Sequence, residues 1–135
     1  MLKISLKKGE KLVLNGAVLR AAARTELYLE NDAAVLRGRD VMAADEADTP
    51  ARRLYFACMM AYLDPKRRAN YQDDILTLLA DLLAALESPE AKGWCMTFAR
   101  HVGAQDFYRA LAICRSLMDY EAAILAASDV QTVAA

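Results

Sequence analysis

The hydrophobic pattern of this chain changes once, between residues 40 and 49, from the two-residue period of strands to the 3.6-residue period of helices. Before the change, Leu2, Ile4 and Leu6 alternate with polar residues, and Asn15-Gly16 is a hairpin signal between two short apolar runs. The first 40 residues therefore predict four or five short strands, which form a small antiparallel sheet or an open barrel. Such a sheet is too small to be stable alone.

After the change, three pairs of a capping residue and proline mark helix starts: Thr49-Pro50, Asp64-Pro65 and Ser88-Pro89. Apolar residues at helical spacing follow each pair, and a fourth helix is predicted from about Gln105 to Ala127. The predicted fold class is α+β, with a small N-terminal antiparallel β-sheet packed on a C-terminal bundle of about four helices.

The length of 135 residues favours a single domain over residues 1–135. Within it we predict a β-rich subregion at 1–40, a helical subregion at 49–127 and a frayed tail at 128–135. The start of the chain lacks a secretory signal pattern, and no apolar run approaches the roughly 18 residues of a membrane span. We therefore expect a cytoplasmic protein with no membrane partner.

Few residues could support catalysis. His101 is the single histidine, and Cys95, six residues earlier, would lie well away around a helix. No C-x-x-C, H-E-x-x-H or P-loop pattern occurs. The number and spacing of the three cysteines match no disulfide framework. Their apolar helical surroundings favour a role as small core residues. We predict no enzymatic activity, no metal and no cofactor.

Charge is distributed unevenly along the chain. Residues 1–68 contain 13 Lys or Arg and 9 Asp or Glu, whereas residues 69–135 contain 4 and 9. The first half therefore has a net charge of +4 and the second of −5, which sum to the overall −1. This asymmetry permits a polyanion to bind the first half and to be repelled by the second.

The basic residues that could contact RNA lie on the predicted sheet and at one predicted helix start. They are Lys3, Lys7, Lys8, Lys11, Arg52 and Arg53. A helix start with free N–H groups and adjacent arginines is a good phosphate site. The alternative for the arginine pair is a set of salt bridges with Asp45, Glu46 or Asp48, and the residues favour neither. For the basic cluster of Lys66, Arg67 and Arg68, we expect plain solvation of the side chains.

Four stretches carry a resemblance to a known family: LKKGEKLVLNGAVL, which ends at Leu19, LYLEND…VLRGRDVM, which ends at Met42, TPARRLYFACMMAYLDP at 49–65, and FYRALAICRSLMDYE at 107–121. Over roughly residues 2–121 the chain resembles the FlbT family of bacterial flagellar-biosynthesis regulators. The resemblance implies a post-transcriptional repressor that associates with the 5′ leader of flagellin mRNA and promotes its decay or blocks its translation. Familiar members often have proline where this chain has Lys8, which changes a turn.

Two hypotheses about mechanism stay open at this point. In the first, the basic sheet and the helix start at Arg52 and Arg53 contact the phosphates of the mRNA leader directly. In the second, the chain is an adaptor or chaperone whose acidic helical half binds flagellin or a FlaF-type protein. Its effect on the mRNA is then indirect. The resemblance implies that FlaF, a second small protein, usually acts in the opposite direction to members of the FlbT family. The oligomeric state is open, and a dimer is one possibility.

Overall fold

A computed structural model describes the backbone of residues 2–134 and the side chains of residues 2–128. The five strands are β1 (Leu2–Leu6), β2 (Lys11–Leu14), β3 (Ala17–Arg20), β4 (Thr25–Leu29) and β5 (Val35–Arg37). All pairings are antiparallel: β1 pairs with β4, and β2 lies between β3 and β5. The predicted N-terminal antiparallel structure is confirmed, and it is divided into a two-stranded and a three-stranded sheet.

The turn between β2 and β3 is the hairpin that the sequence predicts. Asn15 and Gly16 both have positive φ, at 50° and 87°, which is the conformation of a type I′ turn. Asn15 also joins the hairpin to the residue before β5, because its N–H donates to the Ala34 oxygen at 2.9 Å. Its Oδ1 accepts from the Ala34 N–H, also at 2.9 Å. The turn therefore fixes the position of β5 beside β2.

The helical part contains α1 (Pro50–Leu63), α2 (Arg68–Ala85), α3 (Pro89–Gly103) and α4 (Phe107–Ala134). Thr49 and Ser88 cap α1 and α3 through their side-chain oxygens, as predicted. The Asp64-Pro65 pair does not open α2 directly, because a 3₁₀ turn at Pro65–Arg67 comes first. In the described part of the chain, no helix is long and apolar enough to cross a membrane.

The backbone of α4 stays helical beyond Ala127, where the sequence analysis ended the fourth helix, and continues to Ala134. The fraying predicted for residues 128–135 stays a prediction, and residue 135 lies outside the described residues.

Two apolar cores share strand β2. Leu12 packs in a small core between the two sheets, together with Ile4, Leu6 and Ala21. Val13, on the opposite face of β2, packs with Leu36 of β5 in the large core of the helices. Strand β2 is therefore covered on both faces, by strands on one and by helices on the other, whereas β3 is exposed.

The three cysteines lie in the large core, as the sequence predicts. Cys58, Cys95 and Cys114 are each buried. Burial raises the pKa of Cys58 to about 12 and raises the pKa of Cys114 well above its ordinary value. All three thiols are therefore uncharged at neutral pH, and they act as small packing residues.

The shared strand predicts that sheet and helices unfold together. A chain of residues 43–135 lacks Val13 and Leu36, which are 3% and 2% exposed in the large core. Each contributes about 1.5–3 kcal/mol when buried, so we expect the fragment to lose cooperative thermal unfolding and its near-UV circular dichroism. Calorimetry of the fragment beside the full chain measures this. A fragment that unfolds cooperatively with full stability would show that the helices form a domain of their own.

Candidate nucleic-acid interface

The structure places the six predicted RNA-contacting residues in four positions. Lys7 and Lys8 lie together in a depression at the turn between β1 and β2. Lys3 lies on the outer face of the two-stranded sheet, and Lys11 lies at a groove between the β2–β3 hairpin and α1. Arg52 and Arg53 are in the first turn of α1 and line neither of these cavities.

The depression that contains Lys7 and Lys8 also contains two arginines that the sequence analysis did not select, Arg24 and Arg37. We call it the basic depression. It has a volume of about 550 Å³ and is lined by Ser5, Leu6, Lys7, Lys8, Glu10, Arg24 and Arg37. Arg24 precedes β4 and Arg37 ends β5, so only the packing of the two sheets brings them to the β1–β2 turn. No local sequence signal marks either arginine.

Arg37, which lines the basic depression, is held in place by Glu10. Its Nε donates to Glu10 Oε2 at 3.1 Å, and its Nη2 donates to the Ser5 carbonyl oxygen at 2.6 Å. The pKa of Glu10 is lowered, mainly by a hydrogen bond from the Lys7 backbone N–H and further by Arg37. Glu10 is therefore ionised at neutral pH and offsets the charge of one cation.

The other three cations of the basic depression remain free to bind an anion. Within the described residues, Lys7, Lys8 and Arg24 form no ion pair. All three residues are exposed. A concave surface with three uncompensated cations attracts a polyanion, and lysine and arginine side chains are the usual donors to phosphate oxygens.

Lys3 and Lys11 have different surroundings. The Lys3 Nζ lies 3.4 Å from Glu26 Oε1, across strands β1 and β4, and both side chains are more than half exposed. An exposed pair of this kind contributes at most about 1 kcal/mol, so Lys3 can exchange Glu26 for another anion. Lys11 faces Arg20 directly across β2 and β3 and borders the groove beside α1. Two like charges opposite each other destabilise a strand pair unless an anion lies between them.

The start of α1 is already supplied with acceptors from the protein. The Ala51 N–H donates to Glu121 Oε2 of α4 at 2.9 Å, and the Arg52 N–H donates to Thr49 Oγ1 at 3.3 Å. The Arg53 N–H donates to the Thr49 carbonyl oxygen at 2.8 Å. The carboxylate of Glu121 occupies the position in which a phosphate would meet this helix start.

The Arg52 side chain has one of the acidic partners that the salt-bridge alternative named. Its Nη1 lies 2.9 Å from Asp48 Oδ1, and the pKa of Asp48 is lowered, first of all by this hydrogen bond. Arg53 is exposed and forms no ion pair with any described side chain. The contact of Arg52 and Arg53 with phosphate stays a prediction, and it would use their side chains.

Plain solvation is wrong for Arg68, the last residue of the 66–68 cluster. Its Nε donates to the Ala61 carbonyl oxygen at 2.8 Å, near the end of α1. Its guanidinium carbon lies 5.2 Å from the centroid of the Phe107 ring. Arg68 therefore joins the last turn of α1 to the first turn of α4, and a cation is favourable at this end of a helix.

A second arginine network, which the sequence analysis missed, joins the end of the sheet to the helices. Arg115 of α4 donates to the Arg39 carbonyl oxygen at 3.1 Å, to the Tyr55 hydroxyl at 3.3 Å and to the Asp40 carboxylate. Tyr55 donates to the Asp40 carbonyl oxygen at 2.6 Å. Burial raises the pKa of Tyr55 to about 12, against the opposite effect of Arg115, so the hydroxyl keeps its proton at neutral pH.

The described residues contain no group of three or more His, Cys, Asp or Glu side chains that could hold a metal ion.

The contact between Glu121 and α1 predicts a measurable stability effect. Replacement of Glu121→Ala leaves the N–H of the buried Ala51 without its acceptor, so we expect a loss of about 1–2 kcal/mol in the free energy of unfolding. Glu121→Gln keeps an acceptor oxygen and should lose less. Urea unfolding measures both, with Asp119→Ala, an exposed residue on the same helix, as the matched control. Equal stability of the Glu121 and Asp119 variants would contradict the capping role.

Comparison with known proteins identifies relatives over almost the full chain. The family model for the flagellar protein FlbT matches residues 2–125. The flagellum biosynthesis repressor protein FlbT of Caulobacter vibrioides is 41% identical over 121 residues, which cover 89% of this chain and 86% of the relative. A probable repressor of the same name from Caulobacter sp. strain K31 is 44% identical, with coverage of 89% and 92%.

A more distant relative has the same description. The probable flagellum biosynthesis repressor protein FlbT of Mesorhizobium japonicum is 35% identical over 128 residues, which cover 95% of this chain and 87% of the relative. No solved structure matches the chain. The resemblance seen in the sequence is confirmed, and the chain belongs to the FlbT family of flagellar proteins.

Proposed function

We propose that this chain represses flagellum biosynthesis after transcription, by binding the 5′ untranslated leader of flagellin mRNA and promoting its decay or blocking its translation. The names of its relatives support the repressor role, since they are described as flagellum biosynthesis repressors. The family is one of regulators, which agrees with a protein that acts by binding. We further propose that it does so in the cytoplasm.

The basic depression is the observation that carries the RNA-binding part of the proposal. Lys7, Lys8 and Arg24 present three uncompensated cations around Arg37. Binding of phosphates by such residues releases counterions from the RNA, which makes the affinity strongly dependent on salt. Sequence information would come from other contacts, because phosphate contacts position a strand without distinguishing its bases.

We propose further phosphate contacts for basic residues outside the basic depression. Lys3 can leave Glu26 for a phosphate, and an anion between Lys11 and Arg20 would relieve their repulsion. The side chain of Arg53 is a further cation that lacks an ion pair among the described residues. Arg52 would first have to leave Asp48.

The experiment is a titration of a flagellin leader RNA with the full chain at several salt concentrations. The double variant Lys7→Gln and Lys8→Gln should bind more weakly. Its slope of log K against log salt should be smaller by about 0.7 for each lost contact with a single-stranded phosphate. The control Lys92→Gln and Arg100→Gln removes two exposed cations of α3 and should bind as the unmodified chain does. Equal slopes for both double variants would contradict the assignment of the basic depression.

A second candidate function is an adaptor that binds flagellin or a FlaF-type protein. The observation that favours it is the groove beside Lys11, which we call the apolar groove. It has a volume of about 680 Å³ and is lined mainly by apolar residues of β2, β3, the 41–43 segment and α1, including Val13, Val18, Met42, Phe56, Met60 and Leu63. Methionine-rich apolar grooves adapt to amphipathic peptide segments. The groove combines sheet and helix, whereas net charge predicts this contact on the helical half alone.

The two functions are separated by one surface variant. Val18 is 67% exposed at the apolar groove, so Val18→Asp should weaken binding to flagellin or FlaF without a change in affinity for the leader RNA. Leu76→Asp, at a residue of α2 that is 61% exposed, is the matched control for a new surface charge. Binding to flagellin alone, with no affinity for the leader, would favour the adaptor.

Solution mass with and without RNA measures whether the chain is a dimer.

A further inference from the structure

We infer that the cleft beside the basic depression binds an unpaired nucleobase of the RNA, stacked on the ring of Tyr108. This inference rests on the proposed function, because it assigns the base-contacting site of the same strand whose phosphates occupy the basic depression. It also assigns a role to an exposed tyrosine at the start of α4, in the half of the chain whose net charge alone would exclude it from an RNA site.

The cleft adjoins the basic depression through a shared residue. It has a volume of about 410 Å³ and lies between β1, β5, the last turn of α1 and the first turn of α4. The residues that line it include Ile4, Val35, Arg37, Tyr62 and Tyr108. We call it the Tyr108 cleft. Arg37 lines both cavities, so a strand that passes over Arg37 has phosphate-binding cations on one side and two aromatic rings on the other.

Tyr108 has the exposure and the support that a stacking platform needs. Its side chain is 55% exposed, and its ring centroid lies 6.0 Å from that of Tyr62, with the planes inclined at 51°. Tyr62 is fixed in turn, because its hydroxyl accepts from the Val35 N–H at 3.0 Å and donates to the Val35 oxygen at 3.4 Å. Tyr108 is therefore in contact with a ring whose hydroxyl is hydrogen-bonded to β5, and it keeps a large surface for a ligand.

The charges around the Tyr108 cleft favour the phosphates of an RNA strand on its Arg37 side. Tyr62 and Tyr108 also line a third cavity, which contains Asp32, Asp106 and Arg68. Asp106 is paired with Arg109 and Arg68 offsets Asp32, so this cavity has little net charge, whereas the basic depression attracts phosphates. The phosphates are therefore directed toward the Arg37 side, and the base of the same nucleotide is directed toward Tyr108.

The carboxylate that lines the Tyr108 cleft is paired with an arginine. Asp40, which lines the Tyr108 cleft, is paired with Arg115. The cleft itself is largely apolar and suits the flat face of a base. Bases of a duplex are stacked on each other and cannot enter, so the site is specific for a single strand.

The test compares tyrosine variants of the full chain in binding an unstructured 12-nucleotide RNA and a 12-base-pair RNA duplex. Base stacking on an aromatic ring contributes enough that Tyr108→Ala should bind the single strand roughly 5- to 100-fold more weakly. Tyr108→Phe keeps the ring and should bind within about two-fold of the unmodified chain. The salt dependence should not change, because no phosphate contact is removed.

The matched control is Tyr28→Ala, since Tyr28 is 60% exposed on the outer face of β4 and lines none of the three cavities. A 2-aminopurine base placed in the oligonucleotide gives a second readout. Its fluorescence should be quenched by the unmodified chain and by Tyr108→Phe, and much less by Tyr108→Ala at saturating protein.

Four outcomes would overturn the inference. Unchanged affinity of Tyr108→Ala, or an equal loss in Tyr28→Ala, would remove the stacking site and leave the proposed RNA binding intact. Equal weakening of duplex binding would show that Tyr108 contributes something other than stacking. Absence of binding by the unmodified chain to any RNA, the flagellin leader included, would overturn both the inference and the proposed function.

Discussion

Strand β2 has buried residues on both faces, and through them it joins the two sheets to the helices. Leu12 packs toward β1 and β4, while Val13 packs toward α1, so one short strand belongs to two cores. The consequence is that the β1–β2 turn, which carries Lys7 and Lys8, has a fixed position relative to Arg37 at the end of β5.

Much of the fold can be predicted from the sequence because its signals are local. The Asn15-Gly16 hairpin, the caps at Thr49 and Ser88 and the buried cysteines all depend on neighbouring residues, and all are confirmed. The division of five strands into two sheets could not be predicted, since alternation fixes the buried face of a strand but not its pairing partner. The end of α4 was also placed too early, because small polar residues after Ala127 do not by themselves stop a helix.

The candidate site was predictable only in part, for a related reason. Lys7 and Lys8 were selected as basic residues on a sheet, but Arg24 and Arg37 join them only through tertiary structure. Arg68 has the same charge and lies in the same kind of cluster, yet it binds carbonyl oxygens of α1 and contacts Phe107. The net charge of half a chain counts paired and unpaired cations alike. The useful distinction is between cations that the protein pairs internally and those that it leaves to solvent.

The capping contact between Ala51 and Glu121 has a consequence for synthesis of the protein. The two residues are 70 positions apart, so the acceptor for the start of α1 is translated long after α1 itself. At ordinary elongation rates of about 5–20 residues per second, that interval lasts roughly 4–14 s. Arg115, which joins Asp40 and Tyr55, arrives equally late. The sheet and α1 are therefore translated before their partners in α4, and the contacts of Glu121 and Arg115 form only after α4 has left the ribosome.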